Sequence, residues 1–464
     1  MTGFSRILSL SALSALAVAS TAFAQNTKAG AAGANDTGTQ FDKVLPQKVI
    51  EDDAVPVTSH PVVQPLPAAA PQYPVVQQWG VADAGKLLGA IRAIGAEGLD
   101  PQDYHPAALE QAIALGPGPE LDRVASESFA WLVEDLRDGR TPMSARKQWF
   151  VVDPDADLMP TGQVMMKALA SHDVAGTLAG LDPTHPDYAA LKAALASTPA
   201  SETKTRKLIR ANMDRWRWLA RDLGGQYLIT NIPEFQLRLT VNDQIIRTYK
   251  TIVGKPTSPT PQLAETVEGV IFNPTWSVPQ SIVKGEGLGA KVLNNPAWAK
   301  AAGYKATRGA DGTIWVVQQP GPTNSLGVLK LDMPNPHAIF LHDTPARNLF
   351  QQTNRALSHG CIRTERALEL GMTIAILGQG ASKDEAVAIS TSGEYTRVPV
   401  VKTMPVYITY FTMGRDIDGK LRTFNDLYGR DAPVLAALDA PRVANRARRS
   451  SEKVEAIVDD LQTS

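Results

Sequence analysis

The chain contains one cysteine, Cys361, in the segment Ser358-His359-Gly360-Cys361-Ile362-Arg363. A free thiol titrates near 8.5, so nucleophilic work at neutral pH needs a base or a cation beside it. Upstream, Ile339-Phe340-Leu341-His342-Asp343-Thr344 supplies His342, an imidazole that can take a proton near neutrality. Gly360 allows a close backbone approach or a positive φ. His359 and Arg363 are near enough in sequence to favour the thiolate. The competing reading is a buried cysteine acting as a small hydrophobe; the glycine, imidazole and guanidinium around it favour a reactive thiol.

Attack of Cys361 on an amide carbonyl would use His342 twice, first to accept the thiol proton and then to give a proton to the leaving amine. The backbone N–H groups of Gly360 and Cys361 are the natural donors to the tetrahedral oxyanion. His359 is a further polar contact or an alternative base. Arg363 either steadies a substrate carboxylate or forms a structural ion pair. Ser358, Phe340 and Asn324, the last in the turn Gln319-Pro320-Gly321-Pro322-Thr323-Asn324, are placed with them as oxyanion or substrate contacts. His342 is preferred as base because a separate strand, predicted over 337–341, would hold it rigidly. A zinc reading would combine His337, His342, His359 and Cys361, but their spacing matches no standard ligand pair. Residues five apart on a strand also face opposite ways, so neither metal nor cofactor is expected.

The elements that must hold these groups lie in the second half of the chain. Residues 227–230, 235–241 and 245–253 read as strands rich in β-branched and aromatic residues, with Asn242-Asp243 as a hairpin turn. Further strands are predicted over 267–272, 313–318 and 405–413, and a helix over 367–372. The stretch 275–312 reads as a long irregular insert of the kind that forms lids and binding loops. Before this, residues 79–196 carry apolar positions at helical spacing, punctuated by turns at Pro101 and Pro183. His105, His172 and His185 sit in or beside such turns and read as capping residues. Residues 203–223 form a basic, tryptophan-bearing helix, read as packing on the next domain rather than on nucleic acid.

Residues 1–24 have the form of a secretory leader: Arg6, an apolar run, then Ala22-Phe23-Ala24. A proline- and alanine-rich spacer over 25–78 cannot bury a core. With 46 basic and 47 acidic residues, the balance gives no electrostatic case for nucleic acid. No later segment is apolar for long enough to span a bilayer, so an exported chain is expected. The expected order is leader 1–24, spacer 25–78, helical domain 79–200, connecting helix 201–225, β-rich domain 226–435 with the loop 275–312, and a helical tail 436–464. The fold class is α+β, multidomain.

The His342 and Cys361 segments together resemble the L,D-transpeptidase catalytic domain, also called YkuD. The large periplasmic type with a helical scaffold domain is similar at Gly98-Leu99-Asp100-Pro101-Gln102-Asp103-Tyr104, His185-Pro186-Asp187-Tyr188, Asn212-Met213-Asp214-Arg215-Trp216-Arg217-Trp218, Val253-Gly254-Lys255-Pro256 and Gln319-Pro320-Gly321-Pro322. The resemblance implies acyl transfer between peptidoglycan stem peptides, in the periplasm. Cys361 would be nucleophile, His342 proton donor and acceptor, 275–312 a capping loop, and carbapenems would acylate the thiol. Hydrolysis of the same peptides, or wall binding without catalysis, are the alternatives. Members often carry tyrosine two residues before the histidine; here Phe340 has no hydroxyl.

Overall fold

A computed structural model describes residues 76–151, 159–285, 287–444 and 450–452. The expected leader and nearly all of the expected spacer lie outside the described residues, as do 445–449 and 453–464 of the expected tail.

Seven helices come first: α1 Val81–Ala93, α2 Pro106–Leu115, α3 Pro119–Asp138, α4 Thr161–Ser171, α5 Val174–Ala179, α6 Pro186–Ser197 and α7 Thr203–Trp216. Helix α3 shows why they form where they do. Pro119 occupies its first turn with Glu120 and Asp122, and Gly139 at φ 84° ends it. Its apolar side chains Leu121, Phe129, Leu132 and Leu136 pack on Leu87, Ile91, Leu109 and Met165 in one helical core. The histidines in the turns lie at helix ends, and one of them caps through its side chain. His185 accepts from the Asp187 N–H at the start of α6, while His105 and His172 take left-handed conformations at helix ends.

Helix α7 joins this region to the β domain. Trp216 and Trp218 share a core with Tyr227, Ile229, Tyr407 and Phe411. Asn212 Oδ1 accepts from the Thr412 N–H at 2.9 Å, and Arg215 reaches Asp431 at 2.7 Å. Asp214 accepts from the N–H groups of Arg140 (2.5 Å) and Thr141 (3.0 Å) and from Trp218 Nε1 (3.0 Å). Burial opposes its charge, but Arg217, Arg146 and these hydrogen bonds hold its carboxyl below the usual range. Asp214→Ala is expected to cost about 3 kcal/mol, because buried donors and guanidinium groups lose their anion. A carboxylate with a depressed folded pKa stabilises above its unfolded value of about 3.9 and loses that contribution as pH falls. Urea unfolding of wild type and variant at pH 7 and pH 3 should therefore show the gap narrowing in acid.

The β domain is a closed ring of strands with one outrigger. Strands β1 Gln226–Asn231, β2 Gln236–Val241 and β3 Gln244–Gly254 form hairpins. Asn242 and Asp243 both have positive φ (48° and 57°), the twist a tight hairpin needs. Then come β4 Leu263–Phe272, the insert with β5 Trp276–Ser277, α8 Gln280–Gly285, α9 Leu288–Asn294, α10 Pro296–Ala301, β6 Tyr304–Arg308 and β7 Ile314–Gln318, and afterwards β8 Leu329–Asp332, β9 Leu341–His342, β10 Ala356–Ser358 and β11 Ile362–Thr364. Helices α11 Ala367–Leu377 and α12 Lys383–Thr391, strands β12 Thr396–Thr409, β13 Met413–Arg415 and β14 Leu421–Thr423, and helix α13 Asp431–Asp439 complete the described elements. The main sheet runs β10-β3-β11-β9-β8-β4-β12-β1-β2, and β2 also pairs with β3, closing the ring. Leu237, Leu239, Val270, Leu329, Leu331, Leu341 and Ile362 fill its interior.

Three expectations are corrected. The insert is not irregular: β5, β7 and β6 form their own sheet, and Trp276, Ile282, Val283, Leu288, Val292 and Val316 form its core. Only β9, Leu341–His342, exists where a strand was expected over 337–341. Asn335 bonds Met333, Ile339 and the His337 N–H, and Ala338 lies at φ 54°, so the chain turns there. Helix α13 runs through position 436, where the tail was expected to begin.

Candidate active site

The sheet register brings the two sequence segments together. Strands β9 and β11 are parallel neighbours, with Leu341 opposite Ile362 and His342 opposite Arg363. On β8, Lys330 is opposite His342. Leu329, Leu331, Leu341 and Ile362 point into the ring, so Lys330, His342, Arg363 and Cys361 point outward. Cys361, two residues before Arg363, is therefore a diagonal neighbour of His342 on the same face, at a spacing side chains can bridge. The thiol is buried but belongs to none of the apolar cores. Its Sγ donates to the Ala338 carbonyl at 3.6 Å.

His342 is oriented by a backbone group the sequence did not reveal. Its Nδ1 lies 2.5 Å from the Asp343 carbonyl oxygen. A carbonyl can only accept, so Nδ1 carries the proton and Nε2 keeps its lone pair. Asp343 is itself fixed: its carboxylate accepts from the Val328 N–H and from Arg347, both at 3.0 Å. Gly327, at φ 64°, lies so close that a Cβ there would fall 2.4 Å from Asp343 Oδ2, which is why only glycine fits.

The cysteine loop is pinned from both sides. Gly360 has φ 128°, open to glycine and strained for other residues. Ser358 Oγ donates to the Cys361 carbonyl at 2.6 Å and accepts from the Gly360 N–H at 3.1 Å. The Gly360 N–H, expected as an oxyanion donor, is thus engaged by Ser358 in this state, and Ser358 shapes the loop. Thr260 Oγ1 holds the Gly360 carbonyl at 2.7 Å and accepts from the Gly254 N–H at 2.9 Å. Strand β10 pairs Ser358 with Gly254, and the Lys255 N–H donates to the Ser358 carbonyl at 2.8 Å. The Val253-Gly254-Lys255-Pro256 segment therefore serves to set the loop. The Lys255 ammonium donates to His359 Nε2, which occupies the lone pair a base would need.

The remaining site residues separate. Arg363 is buried beside His342. Phe340 is half-buried, and its carbonyl accepts from the Ile362 N–H at 2.9 Å. Asn324 is fully buried, and its amide is used by the insert. It donates to the Pro274 and Gln319 carbonyls, both at 3.0 Å, and accepts from the Leu326 N–H at 2.8 Å. We assign it to holding the root of the insert rather than to substrate. Sequence reasoning missed Lys330, Thr260 and Asn335; the Asn335-Pro336 dipeptide was an available turn signal. His337 packs on Phe150 with ring centroids 4.2 Å apart. Phe150 belongs to a segment that leaves the helical region and pairs beside Gln262. Among the described residues no group of three His, Cys, Asp or Glu side chains is placed to hold a metal ion, and no helix is long and apolar enough to cross a membrane.

Residues 225–376 match the YkuD family, described as the L,D-transpeptidase catalytic domain, and residues 78–195 match the Scaffold domain. A curated Haemophilus influenzae protein, provisionally named an L,D-transpeptidase, is 28% identical over 225 residues, which is 45% of each chain. The chain thus spans less than half of that relative's length. Among solved structures, an L,D-transpeptidase from Mycobacterium smegmatis is similar over 40% of this chain and 58% of its own, at 14% identity and TM-score 0.21. A mutant of the Enterococcus faecium L,D-transpeptidase is similar over 40% and 50%, at 13% identity and TM-score 0.20.

Proposed function

From the premise that this chain is of the L,D-transpeptidase family, with a YkuD catalytic domain behind a scaffold domain, we propose that it cross-links peptidoglycan stem peptides through a thioester on Cys361. The observation that carries the reading is the shared outer face of His342 on β9 and Cys361, the residue that leads into the neighbouring strand β11. His342 Nε2 takes the thiol proton, and Sγ adds to the carbonyl of the third residue of a donor tetrapeptide. The tetrahedral intermediate collapses, and terminal D-alanine leaves as an amine with the proton from His342. The side-chain amine of a second stem's diamino acid then attacks the thioester. It gives its proton to His342, which returns one to the departing thiolate. The product joins third residue to third residue, and the thiol is regenerated. A periplasmic location accords with this substrate and with the leader-like form of residues 1–24.

Purified chain incubated with stem tetrapeptide tests the reading. A cross-linked dimer with release of D-alanine is the expected product. Tripeptide and D-alanine without dimer would replace transfer by hydrolysis. Unchanged tetrapeptide would remove the proposal.

A further inference from the structure

We propose that Lys330 is the electrostatic partner of the reactive thiol, its ammonium holding Cys361 as the thiolate and steadying the negative charge that develops beside it. This deepens the reading of Cys361 as nucleophile and rests on it. Lys330 is directly opposite His342 across β8 and β9, on the same outward face as Cys361. Its Nζ lies 3.5 Å from the centroid of the Phe340 ring, and Phe340 is the residue whose carbonyl ties Ile362, next to Cys361, to β9. A cation on a ring face is attracted to it, so Phe340 fixes where the charge sits.

The ammonium occupies an unusual position for a lysine. Burial pushes it down from its ordinary pKa; the Cys361 thiolate is the larger of the two charges acting against that, and Asp332 the smaller. Asp332 is itself committed to Arg397 at 2.6 Å. Among the described residues no carboxylate comes within ion-pair distance of Lys330. A half-buried cation without a carboxylate is costly to keep for packing alone. Of the two charges that favour it, that of an ionised Cys361 is the larger, and a thiolate is the species a nucleophilic cysteine must supply.

The other titratable or charged groups around Cys361 come from β9, its own loop, the preceding turn and β11. His342 faces it from β9 with Nδ1–H on the Asp343 carbonyl, and His359 in its own loop accepts from Lys255. His337 packs on Phe150 in the preceding turn, and Arg363 follows on β11. Lys330 supplies the cation from β8.

The test is the pH dependence of Cys361 alkylation by iodoacetamide in the full chain, followed by intact mass. One cysteine in the sequence makes the adduct unambiguous. Wild type should alkylate with a midpoint below about 8.5, the value for a free thiol. Lys330→Met, which keeps the stem and removes the charge, should raise that midpoint by about one pH unit or more and slow reaction at pH 7 roughly tenfold. Lys330→Arg should restore most of the shift. A merely structural role would move thermal midpoints and leave the profile in place. Coincident profiles for wild type and Lys330→Met, or a wild-type midpoint at or above about 8.5, would overturn the proposal. The stem-peptide assay separates the two readings. Dimer formation with coincident profiles removes Lys330 and keeps the transpeptidase. A shifted profile without acyl transfer keeps Lys330 and removes the transpeptidase.

Discussion

Cys361→Ala should lower turnover of a stem tetrapeptide by about 10⁴-fold or more and leave no acyl-enzyme to detect by mass. The effect is large because nothing beside it can take over the attack. Ser358, the nearest hydroxyl in the loop, spends its Oγ on the Cys361 carbonyl and the Gly360 N–H. The substitution should leave the fold intact. Cys361 is outside the apolar cores, and the loop is held by Ser358, Thr260 and the pairing of β10 with β3, none of which uses the thiol. Thermal unfolding of wild type and variant should therefore agree closely while product formation, measured by separation of tetrapeptide and dimer, disappears. Retained dimer formation would contradict the assignment of the nucleophile.

His342→Gln should reduce transfer by about 10³-fold, within the range for removing a general acid–base. The loss has two parts that pH can separate. Thiolate can be generated by raising the pH, so alkylation of Cys361 should recover in alkaline solution. Transfer should not recover, because D-alanine still needs a proton as it leaves. This distinguishes His342 from Lys330, whose removal is expected to shift ionisation of the thiol and leave proton delivery in place. The readouts are single-turnover acylation and iodoacetamide labelling across one pH series. Parallel recovery of both would deny His342 the role of acid.

The two segments that the sheet brings together were legible because their residue types are scarce: one cysteine, with a histidine segment just upstream. The strands β1 to β4 and the Asn242-Asp243 turn were also readable, since alternation and turn chemistry agree there. The insert was not. Its helices α8, α9 and α10 span six or seven residues, too few to display a helical period, so an ordered subdomain with its own core looked irregular. The strand expected over 337–341 failed for a local reason: Asn335 substitutes its side chain for the ladder and Pro336 has no N–H to give. Lys330 could be read as an outward charge between Leu329 and Leu331. Its place beside Cys361 depends on the pairing of β8 with β9 and β9 with β11, which no local pattern contains. The orienting partner of His342 was hidden for a similar reason, being a main-chain carbonyl rather than a side chain.

The most direct measurement of the central claim is intact mass after exposure of the full chain to a carbapenem, with Cys361→Ser alongside. A covalent adduct of one drug molecule on wild type, absent from the variant, is the result expected of a thiolate nucleophile. No adduct on wild type, or the same adduct on both proteins, would contradict it.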